Sequence, residues 1–131
     1  MTIVKLKCIT LYTGVLFMIL LLSCNMSDES VQLPGGHTYV DEGRCNKIIL
    51  VNIKNQPNIE SCVSEYKYDD DFITVTQIDT TKCNQSAVIT NSDKKFFIID
   101  NKNEEVLGPF DGEEFNAEFD KLKISHALQF R

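Results

Sequence analysis

Cys62–Tyr68 (CVSEYKY) and Phe72–Ile78 (FITVTQI), joined by Asp69-Asp70-Asp71, decide the fold class of this chain. Both runs are rich in β-branched and aromatic residues, and the acidic connection between them is too short for anything but a reversal, so they predict an antiparallel hairpin. Tyr66, Tyr68 and Phe72 lie beside that turn, where they are expected to cluster. Downstream the pattern repeats. Ser86–Thr90 (SAVIT) and Lys95–Asp100 (KFFIID) flank Asn91-Ser92-Asp93 as a second hairpin, and Asn101-Lys102-Asn103 turns the chain into Glu105–Leu107. Gly108-Pro109 ends that strand, which should lie at a sheet edge because proline cannot donate to a central ladder.

Upstream, His37–Val40 (HTYV) reads as a first short strand closed by Asp41-Glu42-Gly43. Lys47–Ile53 (KIILVNI) is apolar on both faces, which predicts an interior strand covered on each side. Asn55-Gln56-Pro57-Asn58 is a turn, and Asp79–Asn84 a polar loop.

A helix follows the strands. Asp111 is placed to accept from the free amides of the first turn while Glu114 reaches back, and Glu113 and Glu114 suit the positive helix end. Phe115, Phe119 and Leu122 fall at i, i+4 and i+7 as one apolar stripe, with Asp120 and Lys121 turned away. The stripe must bury against the sheet. Ile124–Phe130 is a final short strand or a docked tail. The expectation is an α+β fold, an antiparallel meander sheet with one C-terminal amphipathic helix packed on it.

The N-terminus reads differently. Lys5 and Lys7 precede an apolar run that ends in Leu21-Leu22-Ser23-Cys24, the layout of a signal peptide. The run is about fifteen residues, short of the roughly twenty that a membrane-crossing helix needs. Its last four residues resemble the lipobox of bacterial lipoproteins. That resemblance implies a diacylglyceryl group on Cys24, cleavage after Ser23, and residence at the cell membrane or outer membrane with the domain outside the cytoplasm. Asn25–Gly36 is polar and ends in Pro34-Gly35-Gly36, which suits a spacer. The expected organisation is therefore signal peptide 1–23, acylated tether 24–36 and a single domain 37–131.

Once Lys5 and Lys7 leave with the leader, 108 residues remain with 11 basic and 19 acidic side chains, a balance of −8. Such a surface repels phosphate backbones, which argues against nucleic acid, and it leaves acyl chains as the source of membrane attachment. Among the five cysteines, Cys8 belongs to the leader and Cys24 to the lipid, so Cys45, Cys62 and Cys83 remain in the domain. An oxidising compartment implies one disulfide and one spare thiol. In a simple meander Cys62 and Cys83 fall at the same end and Cys45 at the opposite one, which predicts the pair Cys62–Cys83.

Catalytic chemistry is sparse. The two histidines, His37 and His126, stand near the domain ends, so a Cys45/His dyad is disfavoured, and no G-x-S-x-G elbow occurs. Asp69-Asp70-Asp71 reads as a solvated turn rather than a calcium site, because adjacent carboxylates point apart. Asp100–Glu105 carries Lys102 where a calcium loop would place an acid or amide. No cofactor, metal or enzymatic activity is expected. Phe96–Asp100, Gly108-Pro109-Phe110 and Glu114-Phe115 together resemble, loosely, small uncharacterised bacterial envelope lipoproteins. The resulting expectation is a membrane-anchored, non-enzymatic module that binds a protein partner. The alternative is an inhibitor or immunity-type protein that neutralises a toxin or hydrolase.

Overall fold

The computed structural model describes residues 28–83 and 88–130. Seven strands form two antiparallel sheets. The first has the order β1-β2-β3, built from Glu29–Gln32, Thr38–Asp41 and Lys47–Leu50. The second has the order β4-β5-β6-β7, built from Val63–Tyr68, Phe72–Ile78, Lys94–Asp100 and Glu105–Phe110. A short helix, α1 (Thr80–Cys83), follows β5, and α2 (Gly112–Lys121) follows β7. The fold is α+β, mostly β.

The four-stranded sheet is the middle of three layers, because the period-two alternation of its strands presents apolar residues to both sides. Ile73, Val75 and Ile99 face the three-stranded sheet and pack with Leu33, Ile49, Ile59 and Val63. Ile98, with Phe72, Phe96 and Leu107, faces the helix and packs with Phe115, Phe119, Ile124 and Leu128. The expected helix forms as read. Asp111 Oδ1 accepts from the amides of Glu113 and Glu114, each at 2.9 Å, and Glu114 Oε2 accepts from the Asp111 amide at 3.0 Å. Ile124–Phe130 is a docked tail with one 3-10 turn at His126–Leu128, and Thr74 Oγ1 secures it by donating to the Leu128 carbonyl at 2.8 Å.

Five features differ from the sequence expectations. The described fold already includes β1 ahead of His37, so Glu29–Gly36 of the expected tether 24–36 is structural. Val31 and Leu33 alternate towards the core, and Pro34-Gly35-Gly36 is the connection between β1 and β2, its two glycines at φ 76° and 79°. A side chain at Gly35 would sit 2.6 Å from Asn101 Oδ1, so the turn requires glycine there. Second, Lys47–Ile53 is not an interior strand. β3 stops at Leu50, lies at the edge of its sheet, and exposes 41 % of Leu50. Third, Val88–Thr90 is not a strand, and β6 pairs directly with β5 over Phe72–Ile78; Ser86 lies outside the described residues. Fourth, β7 continues through Gly108-Pro109 to Phe110, at the sheet edge where a proline is tolerated.

The fifth concerns the aromatic residues by the hairpin turn. Tyr68 pairs with Ile73, so Phe72 falls on the opposite face and joins the helix layer. Tyr66 instead stacks on Tyr68, at 6.3 Å, and meets Tyr39 of β2 at a tilt, at 4.6 Å. Burial, then the neighbouring Asp41 carboxylate that Tyr39 Oη donates to at 3.3 Å, push the Tyr39 phenol up to about 12. A pKa raised above its unfolded value stabilises the fold below about 10 and loses that contribution as pH rises through 12. Alkaline absorbance titration should therefore show a phenol ionising near 12. Tyr39→Phe should abolish that step, and a titration in which every tyrosine ionises at its ordinary value would contradict the contact.

Candidate functional site

Two places on the molecule gather chemistry-bearing residues. The first is a cleft of about 230 Å³ between α2, the C-terminal tail and the helix-facing side of the four-stranded sheet. Its floor is a triangle of rings: Phe96 lies 5.0 Å from Phe115 and 6.1 Å from Phe130, and Phe115 lies 5.9 Å from Phe130. Phe130 is held there by Lys67, whose Nζ sits 5.4 Å above its ring and donates to the Gln129 carbonyl at 2.6 Å. Ser64, Glu65, Asn91, Lys94 and Asn116 form a polar rim of both charges.

Thr76 completes this cleft. Alternation along β5 puts it on the same face as Thr74, but where Thr74 bonds the tail, Thr76 Oγ1 is buried without a hydrogen-bond partner among the described residues, in a residue only 4 % exposed. A buried hydroxyl left unpaired costs roughly 1–3 kcal/mol.

The second place is a cluster of three cysteines. Cys45 follows a tight turn that Gly43 and Arg44 make at φ 84° and 49°, closed by the Asn46 amide donating to Gly43 O at 3.0 Å and the Gly43 amide to Asp41 Oδ1 at 2.9 Å. Cys62 precedes β4 and accepts on its carbonyl from the Ile78 amide at 2.9 Å. Cys83 ends α1, whose first turn is capped by Asp79 accepting from the Thr81 amide at 2.8 Å. Lys82 pins α1 to Asp93 at 2.6 Å, and that contact, with Thr90 as a further donor, holds the Asp93 carboxyl down at about 2. The three sulfurs lie within 4.8 Å of one another.

Cys45 was expected at the far end from Cys62 and Cys83; it lies with them. The chain after β3 does not cross directly into β4. It doubles back along β3, with Ile59 paired antiparallel to Ile49, and delivers Ser61 to the start of β3, where its hydroxyl donates to Asn46 Oδ1 at 3.1 Å. Cys83 is within disulfide reach of both others, with Cα–Cα distances of 5.7 Å to Cys45 and 6.7 Å to Cys62. Reduced, the three thiolates also form a donor set suited to a soft cation.

The remaining candidates are structural. His37 is buried, accepting on Nδ1 from the Asn52 amide at 2.9 Å and meeting Asn101 Oδ1 through Nε2 at 3.0 Å. It ties the two sheets together at the end of β2 opposite to Asp41 and Cys45. His126 is exposed and meets Gln129. Asp69 Oδ1 accepts from the amides of Asp71 and Phe72, and Asp100 Oδ1 from those of Lys102 and Asn103, so both acids hold turns. Cys24 lies outside the described residues. Sequence reasoning missed the grouping of Cys45 with its partners and the role of Thr76. The alternation Phe72-x-Thr74-x-Thr76 was the available signal for the latter.

Comparison with known families adds one observation. The family model DUF3997, a protein of unknown function, matches residues 36–131. The chain belongs to this family. The DUF3997 match takes in β2 to β7, both helices, the cleft and all three cysteines, and leaves β1 just outside it. No curated protein and no solved structure matches the chain.

Proposed function

We propose that this DUF3997 chain is a lipid-anchored, non-enzymatic module of the cell envelope that binds a protein partner. The phenylalanine-floored cleft with its polar rim carries the reading. Its volume suits one apolar side chain, and Asn91, Lys94 and Asn116 on the rim would meet polar groups of the same partner segment. Ligand sites commonly combine such an apolar lining with few converging polar groups. The excess of acids supports steering towards a basic partner, and for that reason an inhibitor or immunity-type role is the second reading.

Lipidation at Cys24 is part of the proposal and rests on Leu21-Leu22-Ser23-Cys24. With β1 starting at Glu29, four residues separate it from Cys24. Extended chain spans at most about 3.6 Å per residue, so the anchor would hold the Glu29 end of the three-stranded sheet within roughly 18 Å of the acyl-bearing thiol. Asp41 and Lys47 pair in register with that end. The domain would therefore rest close to the bilayer, tethered through its Glu29 end.

Thr76→Val tests the unpaired hydroxyl beneath the cleft without disturbing its shape. Removing it should raise stability by about 1 kcal/mol, read as a higher urea midpoint. A photo-crosslinker at Asn116 or Asn91 on the rim should trap a discrete partner in intact cells, and the identity of that partner separates the two readings. Absence of any rim-specific adduct would defeat both.

A further inference from the structure

We propose that Cys83 is a shared disulfide partner, and that the exchange it permits makes Cys45 a site of mixed-disulfide formation with small, carboxylate-bearing thiols. The argument begins with valence. Cys83 lies within disulfide reach of both Cys45 and Cys62, yet its sulfur can form only one such bond. Whichever pair forms, the third sulfur stands beside the disulfide, since all three lie within 4.8 Å. That is the geometry of thiol–disulfide exchange.

The first disulfide forms when two of the thiols give two electrons and two protons to a small-molecule disulfide, which leaves as two thiols. From then on the partners change without a further oxidant. With Cys62–Cys83 formed, the Cys45 thiolate attacks Cys83 Sγ; the Cys45–Cys83 bond forms, the Cys62–Cys83 bond breaks, and its electron pair leaves with Cys62 as thiolate. The reverse step restores the first pair.

The two states present different surfaces. Cys62 is 4 % exposed, so when it is the spare thiol it is hidden in the core. Cys45 is only half-buried and lines a shallow cleft with Glu42, Gly43, Arg44, Asn46, Ser61 and Thr80. When Cys45 is spare, its thiolate is open to an incoming disulfide RSSR, forming Cys45–SR and releasing RS⁻. Arg44 lines the same cleft beside Glu42, whose carboxylate the Asn46 side chain engages, and offers a cation to a carboxylate on R. Exchange thus exposes or conceals one reactive thiol.

The test uses the full-length protein in detergent, oxidised with excess glutathione disulfide, quenched in acid, alkylated and mapped by mass spectrometry under non-reducing conditions. The expected result is both Cys45–Cys83 and Cys62–Cys83 peptides in one preparation, with a single glutathione adduct on Cys45 and none on Cys62. Cys62→Ser should confine the chain to Cys45–Cys83 and lose the adduct. A single linkage with no adduct would overturn the proposal. So would a Cys45–Cys62 bond, or a tightly held metal ion that shields all three cysteines from alkylation until a chelator is added.

Discussion

The full-length protein is expected to partition into the detergent phase and to carry an acyl-modified Cys24 as its first residue. Residues 24–131 bearing Cys24→Ala, exported behind an ordinary cleavable leader, are expected to stay entirely in the aqueous phase. No helix among the described residues is long and apolar enough to cross a membrane. The domain surface is acidic, and anionic lipid repels it. In the proposed lipoprotein, attachment would rest on acyl chains, at about 0.8 kcal/mol per buried methylene. One myristoyl chain gives a binding constant of only about 10⁴ M⁻¹, whereas the two chains of a diacylglyceryl group raise it by orders of magnitude, so loss of the thiol converts firm attachment to none. Exchanging the leader matters because an uncleaved apolar run would itself hold a Cys24→Ala chain at the membrane. Recovery of full-length protein from the aqueous phase with an unmodified Cys24 would refute the lipoprotein reading.

Phe119→Ala should produce the largest loss of stability. The ring is fully buried, packs at a tilt against Phe115 with centroids 5.6 Å apart, and belongs to the cluster that joins α2 to Ile98 of the middle sheet. Truncation removes the transfer energy of the ring and leaves a void that flanking rings fill only in part, about 3–5 kcal/mol in comparable cores. A domain of this size is stable by about 5–15 kcal/mol in all, so the variant should lose a large share of its resistance to urea. The denaturation midpoint should fall with its slope unchanged, whereas Asp120→Ala, exposed on the same helix, should shift stability by no more than about 0.5 kcal/mol. Equal effects from the two would mean that α2 is not packed through its phenylalanine face.

The helix and the central hairpin were legible because their causes are local. A capping box acts between Asp111 and Glu114, and an apolar stripe between Phe115 and Phe119; both distances are one turn. β1 was legible in principle, since Val31 and Leu33 alternate, yet the polar residues around them and the Pro-Gly-Gly sequence suggested a spacer. That turn is structured because Gly35 must admit His37 and Asn101, the latter sixty-four residues further along than the histidine it meets.

The sequence by itself determined that β2 and β4 to β7 extend, where the helix starts and which face it buries, and that the domain holds three cysteines. Those features depend on side-chain period and on capping within a few residues. Only the tertiary structure decided that the strands divide into two sheets, that Cys45 meets Cys62 and Cys83, and that Thr76 is left unpaired beneath a cleft. Each of these depends on where residues 51–61 and the C-terminal tail return, and that path is set by pairings such as Ile49 with Ile59 and Thr74 with Leu128, whose partners no local pattern specifies.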